Sequence, residues 1–147
     1  IGINAYYDIP GRGGFTEMVL AWEEHKSKGR ALHLQFGNKP VVYTEVGFCS
    51  GECKGQRSGS SQETQLHALR YQVLFEAFRN ETDWFKGAFW WNWNTDPGWF
   101  EAETDDCMTP VWKPAEDVLR EYWRTNMPKP DPGPQKAQCM GQGRCEV

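Results

Sequence analysis

A carboxylate at the end of an apolar segment is the residue whose position most favours chemistry. Glu45 follows Val41, Val42 and Tyr43, a β-branched and aromatic run that is typical of a central strand. In proteins that alternate strand and helix, reactive side chains collect where the parallel strands end. Glu45 could therefore act as the nucleophile or the acid of glycosidic bond hydrolysis, which needs two carboxyl groups flanking the scissile bond. The alternative is a solvated loop acid, because strand ends also carry polar residues without a catalytic role.

Residues 1–7 form another apolar segment, which predicts a buried strand running into a loop. Asn4 and Tyr6 share one face of that strand, because side chains alternate with a period of two. The Tyr6 hydroxyl could then hydrogen-bond Glu45 and hold it ionised. A tyrosine packed in the core with its hydroxyl bonded to the backbone is an equal alternative, and Tyr7 is the second candidate for the contact.

Three tryptophans lie at the end of a third predicted strand, residues 87–91. Trp90, Trp91 and Trp93 cannot all point inward from an alternating strand, although packing in a core is the ordinary role of tryptophan. Flat indole rings can also stack on the apolar faces of sugars. Trp91, at the strand end, is the first candidate for such a contact. Trp90 must then point the other way, and it remains with Trp93 a further candidate for substrate binding.

The first predicted helix follows the glycine cluster after residue 10. Thr16 can cap it, and Met18, Val19 and Trp22 give it an apolar stripe. Gly29 weakens the helix, so that residues 32–36 are expected to form a second helical piece.

The second and third helices follow the other two strands. A Gly- and Ser-rich loop, residues 49–61, ends in a capping box of Ser60 and Glu63 that predicts a helix start. Pro114 suits the first turn of the last helix. The three histidines fall on predicted helices, away from strand ends, and are assigned surface or packing roles: His25, His33 and His67.

Composition and charge exclude several classes of protein. Hydrophobic residues at 39% and charged residues at 24% of the 147-residue chain indicate a folded protein with a core rather than a disordered or fibrous one. The net charge of -4 disfavours nucleic acid or an anionic membrane as a partner. No apolar run approaches the length of a membrane span. No cysteine pair has C-x-x-C spacing, so no metal site or cofactor is expected.

The cysteines and one acceptor sequence favour a secreted or extracellular protein. Disulfide pairing of Cys49 with Cys53 and of Cys139 with Cys145 is conceivable. The number of cysteines is odd, so at least one is unpaired or joined to sequence outside this chain. Asn80-Glu81-Thr82 is an N-glycosylation acceptor sequence. Both features are typical of the secretory route.

Four stretches in this order carry a resemblance to a known family: IGINAYY from Ile1, KPVVYTEVGF from Lys39, GAFWWNW from Gly87 and TPVWKPA from Thr109. Over about residues 1–125 the chain resembles the last three βα units of a clan A glycoside hydrolase, closest to family 113, the β-mannanase-like group. The resemblance implies an α/β fold that is part of a (β/α)₈ TIM barrel over residues 1–127. The Pro- and Gly-rich residues 128–147 would then be a linker or tail.

The resemblance also implies a reaction. Glu45 matches the nucleophile of a retaining mechanism at the end of the seventh strand, and the substrate would be a β-1,4-linked polysaccharide, cleaved without a cofactor by a monomeric enzyme. In the clan the acid/base Glu follows an Asn at the end of the fourth strand. The one Asn-Glu pair in this chain is Asn80-Glu81, near a predicted helix end. The chain therefore reads as a fragment that lacks the acid/base, and the alternative is a non-catalytic carbohydrate-binding or structural remnant.

Overall fold

Three strands alternate with three helices in the computed structural model, which describes residues 1–10, 14–51, 61–93 and 108–126. The elements are β1 (Gly2–Asn4), α1 (Gly14–Gln35), β2 (Val41–Val46), α2 (Ser61–Phe78), β3 (Phe85–Trp90) and α3 (Pro114–Asn126). The strands form one parallel sheet in the order β1-β2-β3. This confirms the predicted alternation and the parallel pairing of the three strands.

The core lies between one face of the sheet and the helices, and it includes Ala115 and Leu119 of α3. Val41 and Tyr43 of β2 are fully buried, and the ring of Tyr43 meets Phe78 and Phe85 edge to face with centroids 5.4 and 5.0 Å apart. From α1, Trp22 adds a fully buried indole 6.2 Å from Tyr43. Each such side chain stabilises the fold by roughly 2 kcal/mol relative to an exposed one. The sheet is therefore held to the helices through aromatic residues.

The opposite face of the sheet carries side chains that remain exposed. Asn4 and Thr44 are exposed on β1 and β2, and Phe89 on β3 is 67% exposed. Alternation along each strand explains the division, because the neighbours Ala5 and Tyr43 are fully buried.

Helix α1 is continuous through Gly29, so the predicted division into two helical pieces is wrong. Gly29 is buried against Trp84, and a Cβ atom built on it would lie 2.6 Å from Cζ3 of that indole. The glycine therefore allows close packing and does not end the helix. The helix also begins at Gly14, so Thr16 lies inside its first turn instead of capping it.

A buried carboxylate joins α1 to the turn before β3. Glu81 is bonded by Arg30, by Lys26 at 3.2 Å and by the Trp84 indole nitrogen at 2.6 Å. Burial opposes ionisation of Glu81, but the hydrogen bonds from Arg30, Trp84 and Lys26 outweigh it and lower its pKa to about 2. Glu81 is the middle residue of the predicted N-glycosylation sequence Asn80-Glu81-Thr82. Asn80 and Thr82 are exposed, whereas Glu81 between them is buried.

Strand bounds differ from the predicted ones by a few residues. β1 ends at Asn4, where its register with β2 shifts, and is shorter than the predicted residues 1–7. β2 extends to Val46, and β3 runs from Phe85 to Trp90, so Trp91 follows the strand. Several predicted features lie outside the described residues: the glycine cluster at residues 11–13, Ser60, most of the loop 49–61, and the tail 128–147. Within the described part of the chain, the helices lack the length and apolar character that crossing a membrane requires.

Candidate active site

The carboxyl ends of the three strands meet at one edge of the sheet, and the candidate residues follow from them. Asn4 pairs with Glu45 across β1 and β2, and the Ala5 amide donates to the Glu45 carbonyl at 2.7 Å. The Trp91 amide donates to the Val46 carbonyl, also at 2.7 Å. Because the strands are parallel, these bonds bring the start of each following loop to the same place.

Tyr6 and Glu45 form the central contact of this edge. The Tyr6 hydroxyl donates a hydrogen bond to Glu45 Oε2 with an oxygen–oxygen distance of 2.7 Å. Local burial, this hydrogen bond and the negative charge of Glu45 together raise the pKa of Tyr6 well above its ordinary value. Tyr6 therefore stays a neutral donor, and the predicted contact between its hydroxyl and Glu45 is present in the structure.

Asn4 shares the exposed face with Tyr6, as alternation predicted. Its Oδ1 accepts a hydrogen bond of 2.8 Å from the Thr44 hydroxyl, which precedes Glu45 on β2. Ala5, between the two exposed residues, is fully buried. Asn4 thus links β1 to β2 directly below the carboxylate.

Trp91 lies beside the end of β2 with 51% of its surface exposed. Its carbonyl oxygen approaches Gly47 so closely that a Cβ atom on Gly47 would be 2.0 Å away. The backbone of Trp91 is therefore fixed to the segment directly after Glu45, while its indole remains available for stacking.

The other two tryptophan candidates contact helices. Trp90 points to the helix side and stacks on Tyr71 of α2, with centroids 4.4 Å apart, as expected if Trp91 points the other way. Trp93 is 43% exposed, and its ring centroid lies 6.4 Å from that of Trp123 on α3. The side of the sheet on which Trp90 lies follows from alternation along β3, whereas the position of Trp93 depends on the course of the chain after that strand.

Tyr7 has a mixed environment. Its ring stacks on His25 of α1, with centroids 3.7 Å apart, and meets Trp22 and Tyr43 edge to face. Partial burial raises the pKa of Tyr7, against a smaller opposing effect of Lys28. The residue also lines the cleft next to Tyr6, so it packs on α1 and borders the site at once.

A cleft of about 310 Å³ adjoins Tyr6 and contains residues that sequence reasoning did not select. Asp8, Arg70 and Met108 line it together with the segment from Gly47 to Cys49. Arg70 donates to the Cys49 carbonyl at 3.2 Å; burial lowers its pKa, and the charge of Asp8 opposes that effect. Asp8 directly follows the first apolar segment and could have been found by the rule that selected Glu45, whereas Arg70 projects from mid-helix and gives no such signal.

The rim of the cleft is held from below. The Lys113 ammonium donates to the Ser50 hydroxyl at 2.8 Å in a buried position, and the Tyr71 hydroxyl donates to the Met108 carbonyl at 3.3 Å. Cys49 is disulfide-bonded, and the other cysteines lie outside the described residues. The loop after β2 and the segment before α3 are thus joined to each other and to α2.

The histidines take packing positions on the helices. His67 is fully buried beneath the loop after β2, and its burial and the positive charge of Lys113 lower its pKa to about 3. His25 stacks on Tyr7, and His33 donates a hydrogen bond from Nδ1 to the Lys39 carbonyl at 3.0 Å. Across the residues that the structure describes, no three His, Cys, Asp or Glu side chains are grouped to hold a metal ion.

Comparison with known proteins gives structural matches alone. No family model and no curated protein matches the chain. A glycoside hydrolase family 113 β-1,4-mannanase, solved as a complex, is similar over 84% of this chain and 38% of its own, with 23% identity and a TM-score of 0.61. A second structure of a family 113 β-1,4-mannanase matches 73% of this chain and 36% of its own at 26% identity and a TM-score of 0.56.

A third match is the family 113 β-mannanase AaManA from Alicyclobacillus acidocaldarius in complex with ManMIm. It covers 72% of this chain and 36% of its own length, with 27% identity and a TM-score of 0.54. The chain spans under two fifths of the length of each of these enzymes. Over that length, the chain resembles the β-mannanases of glycoside hydrolase family 113.

Proposed function

We propose that the complete protein is a retaining glycoside hydrolase that cleaves a β-1,4-linked polysaccharide of the mannan type, with Glu45 as its nucleophile. The observation that carries the proposal is the hydrogen bond of 2.7 Å between Tyr6 and Glu45 at the carboxyl end of a parallel sheet. The three strands would be consecutive strands of a (β/α)₈ barrel, whose active sites lie at that end.

In this mechanism the Glu45 carboxylate attacks the anomeric carbon and the glycosidic bond to the leaving sugar breaks. A second carboxylic acid protonates the leaving oxygen, and water, deprotonated by the same group, later releases the glycosyl unit from Glu45. Tyr6 contributes by orienting the carboxylate through its neutral hydroxyl. Trp91, half exposed next to Glu45 in the fold, supplies a flat apolar surface for the sugar bound there.

The second carboxylic acid is expected from a part of the complete enzyme beyond these residues. The chain spans under two fifths of the similar mannanases. The sequence resemblance implies an acid/base Glu that follows an Asn at the end of another strand. The Asn80-Glu81 pair is unsuitable, because Glu81 is buried and bonded to Arg30, Lys26 and Trp84 in the turn before β3. We therefore expect activity from the complete enzyme rather than from this chain alone.

The second candidate function is carbohydrate binding without hydrolysis. The exposed indole of Trp91 favours it, since stacking on a sugar needs no acid. A chain of this kind would bind mannan whether or not Glu45 is ionisable. Measuring turnover of mannan distinguishes the two functions, because only the hydrolase cleaves it.

The experiment compares wild type with Glu45→Gln in the full-length enzyme, using hydrolysis of β-1,4-mannan and binding of mannohexaose. The amide is nearly isosteric but a poor nucleophile, so turnover should fall by about three orders of magnitude or more while thermal melting and binding stay close to wild type. Glu24→Gln is the matched control, because Glu24 is exposed on α1 and paired with Lys28, where such a pair contributes little. Equal turnover by wild type and Glu45→Gln would remove Glu45 from catalysis, whereas binding of mannohexaose without turnover by the wild type would favour the binding function.

A further inference from the structure

A tight turn directly before α3 contains a tryptophan in an unfavourable backbone conformation. The Lys113 amide donates to the Pro110 carbonyl at 3.0 Å, which closes a β-turn over residues 110–113. Trp112 occupies its third position with φ of 59°. That position favours Gly or Asn, because in left-handed backbone the Cβ atom approaches the following carbonyl oxygen. A bulky aromatic residue there is unexpected on grounds of stability.

The Trp112 indole is exposed, unlike the side chains on either side of it. Trp112 is 57% exposed, whereas its neighbours Val111 and Lys113 are 9% and 3% exposed. The Trp112 amide donates to Glu116 Oε2 at 2.6 Å, and Arg120 holds the same carboxylate at 2.7 Å. The turn is thus firmly anchored, and the one side chain that it directs outward is the indole. Strained residues of this kind concentrate at ligand sites.

The turn lies on the rim of the cleft beside Tyr6. Lys113 reaches Ser50 in the loop after β2, and Met108, four residues before Trp112, lines the cleft. Met108 also lies against the end of β2, with its sulfur 3.1 Å from a Cβ atom built on Gly47. Trp112 therefore belongs to the same end of the sheet as Glu45 and Trp91, but to a different segment.

We propose that Trp112 is a second sugar-stacking platform, which holds a pyranose ring of a polysaccharide that extends beyond the cleft. This rests on the proposed function, because it takes the ligand to be a β-1,4-linked mannan chain. An indole offers a flat face to the apolar C–H groups of a sugar, and a neutral ligand suits a rim where Glu116 is already paired with Arg120. Long oligosaccharides would use this platform, and short ones would bind without it.

The test measures binding of linear mannohexaose and mannobiose to the complete protein carrying Glu45→Gln, so that hydrolysis does not interfere. Trp112→Gly should weaken mannohexaose binding by about tenfold, equivalent to about 1.4 kcal/mol, and leave mannobiose binding unchanged. Because glycine suits a positive φ, the same substitution should keep or raise the melting temperature. Trp112→Tyr keeps a flat ring and should retain most of the affinity. Phe36→Ala, which removes an exposed ring after the far end of α1, is the control.

Three outcomes overturn the platform: unchanged mannohexaose binding by Trp112→Gly, absence of mannohexaose binding by the parent protein, or a loss of melting temperature that accompanies the loss of binding. The first of these leaves the proposed function intact if Glu45→Gln still abolishes turnover of mannan. Conversely, full turnover by Glu45→Gln together with weaker binding by Trp112→Gly would overturn the proposed catalytic function and retain the platform.

Discussion

Gly47 lies directly against the carbonyl oxygen of Trp91, at a distance that leaves no room for a side chain. A Cβ atom on Gly47 would be 2.0 Å from that oxygen and 3.1 Å from the Met108 sulfur. The end of β2, the residue after β3 and the segment before α3 are therefore packed around one glycine. This contact fixes the backbone of Trp91 next to the end of the strand that carries Glu45.

Gly47→Ala should lower both stability and sugar binding. The added methyl group must displace the backbone of Trp91, and overpacking of this kind costs about 1–3 kcal/mol. Thermal melting and mannohexaose binding measure the two effects. Gly37→Ala is the comparison, because Gly37 has a φ of 70° and open space around it. An alanine there would be strained in its backbone but would clash with no neighbour. Unchanged mannohexaose binding by Gly47→Ala would show that substrate recognition does not depend on the position of Trp91.

Tyr6→Phe should reduce the turnover number of the complete enzyme by roughly 10- to 100-fold, since it removes a charge-assisted hydrogen bond to the nucleophile of about 1.5–3 kcal/mol. Melting should change little, because Tyr6 is 42% exposed and keeps its ring. Steady-state kinetics on mannan separate this role from binding. A raised KM with an unchanged turnover number would make Tyr6 a substrate contact alone.

Gly29→Ala should destabilise the protein, although alanine ordinarily stabilises a helix interior by about 1 kcal/mol over glycine. Its Cβ would lie 2.6 Å from the buried Trp84 ring, so we expect a net loss of about 1–3 kcal/mol in the free energy of unfolding. Ser27→Ala, at an exposed position of the same helix, should be neutral or slightly stabilising. Denaturant unfolding measures both alanine variants, and wild type, Gly29→Ala, Trp84→Phe and their double variant together give the coupling energy between the two positions. Equal stabilisation by the two alanines would contradict the packing role of Gly29.

His67 should make the protein less stable as the pH falls below about 6.5. Its pKa is about 3 in the folded protein, so the folded chain keeps it neutral while the unfolded chain takes up a proton near the ordinary value of about 6.5. Stability from this residue is complete above that pH and is lost progressively on acidification, on the order of 2 kcal/mol by pH 5. Melting temperatures between pH 7 and pH 5 should fall for wild type and vary less for His67→Leu.

His25→Gln is the comparison for that measurement, because burial also lowers the pKa of His25. Glu81 acts at lower pH: its depressed pKa of about 2 means that its contribution is lost between about pH 4.5 and pH 2. Parallel pH profiles of wild type and His67→Leu between pH 7 and pH 5 would show that His67 does not carry the effect.

The sequence by itself determined the order of strands and helices and the strand-end position of Glu45. Short β-branched runs separated by helical periodicity are local properties, and parallel pairing follows from the alternation. The period of two along a strand also predicted that Asn4 and Tyr6 share an exposed face, which the burial of Ala5 confirms. These inferences need only neighbouring residues.

Tertiary structure decided everything that depends on residues distant in the chain. On helix propensity alone, Gly29 is expected to interrupt α1. In the structure it packs against the ring of Trp84, which lies directly before β3 in the sequence. The course of the chain after β3 sent Trp93 to α3 and left Trp91 beside Gly47. Arg70 reached the cleft because α2 packs beneath the loop after β2. Such contacts join residues tens of positions apart in the sequence. The local sequence pattern does not predict them, because the free energy of packing depends on how all the helices and strands are arranged.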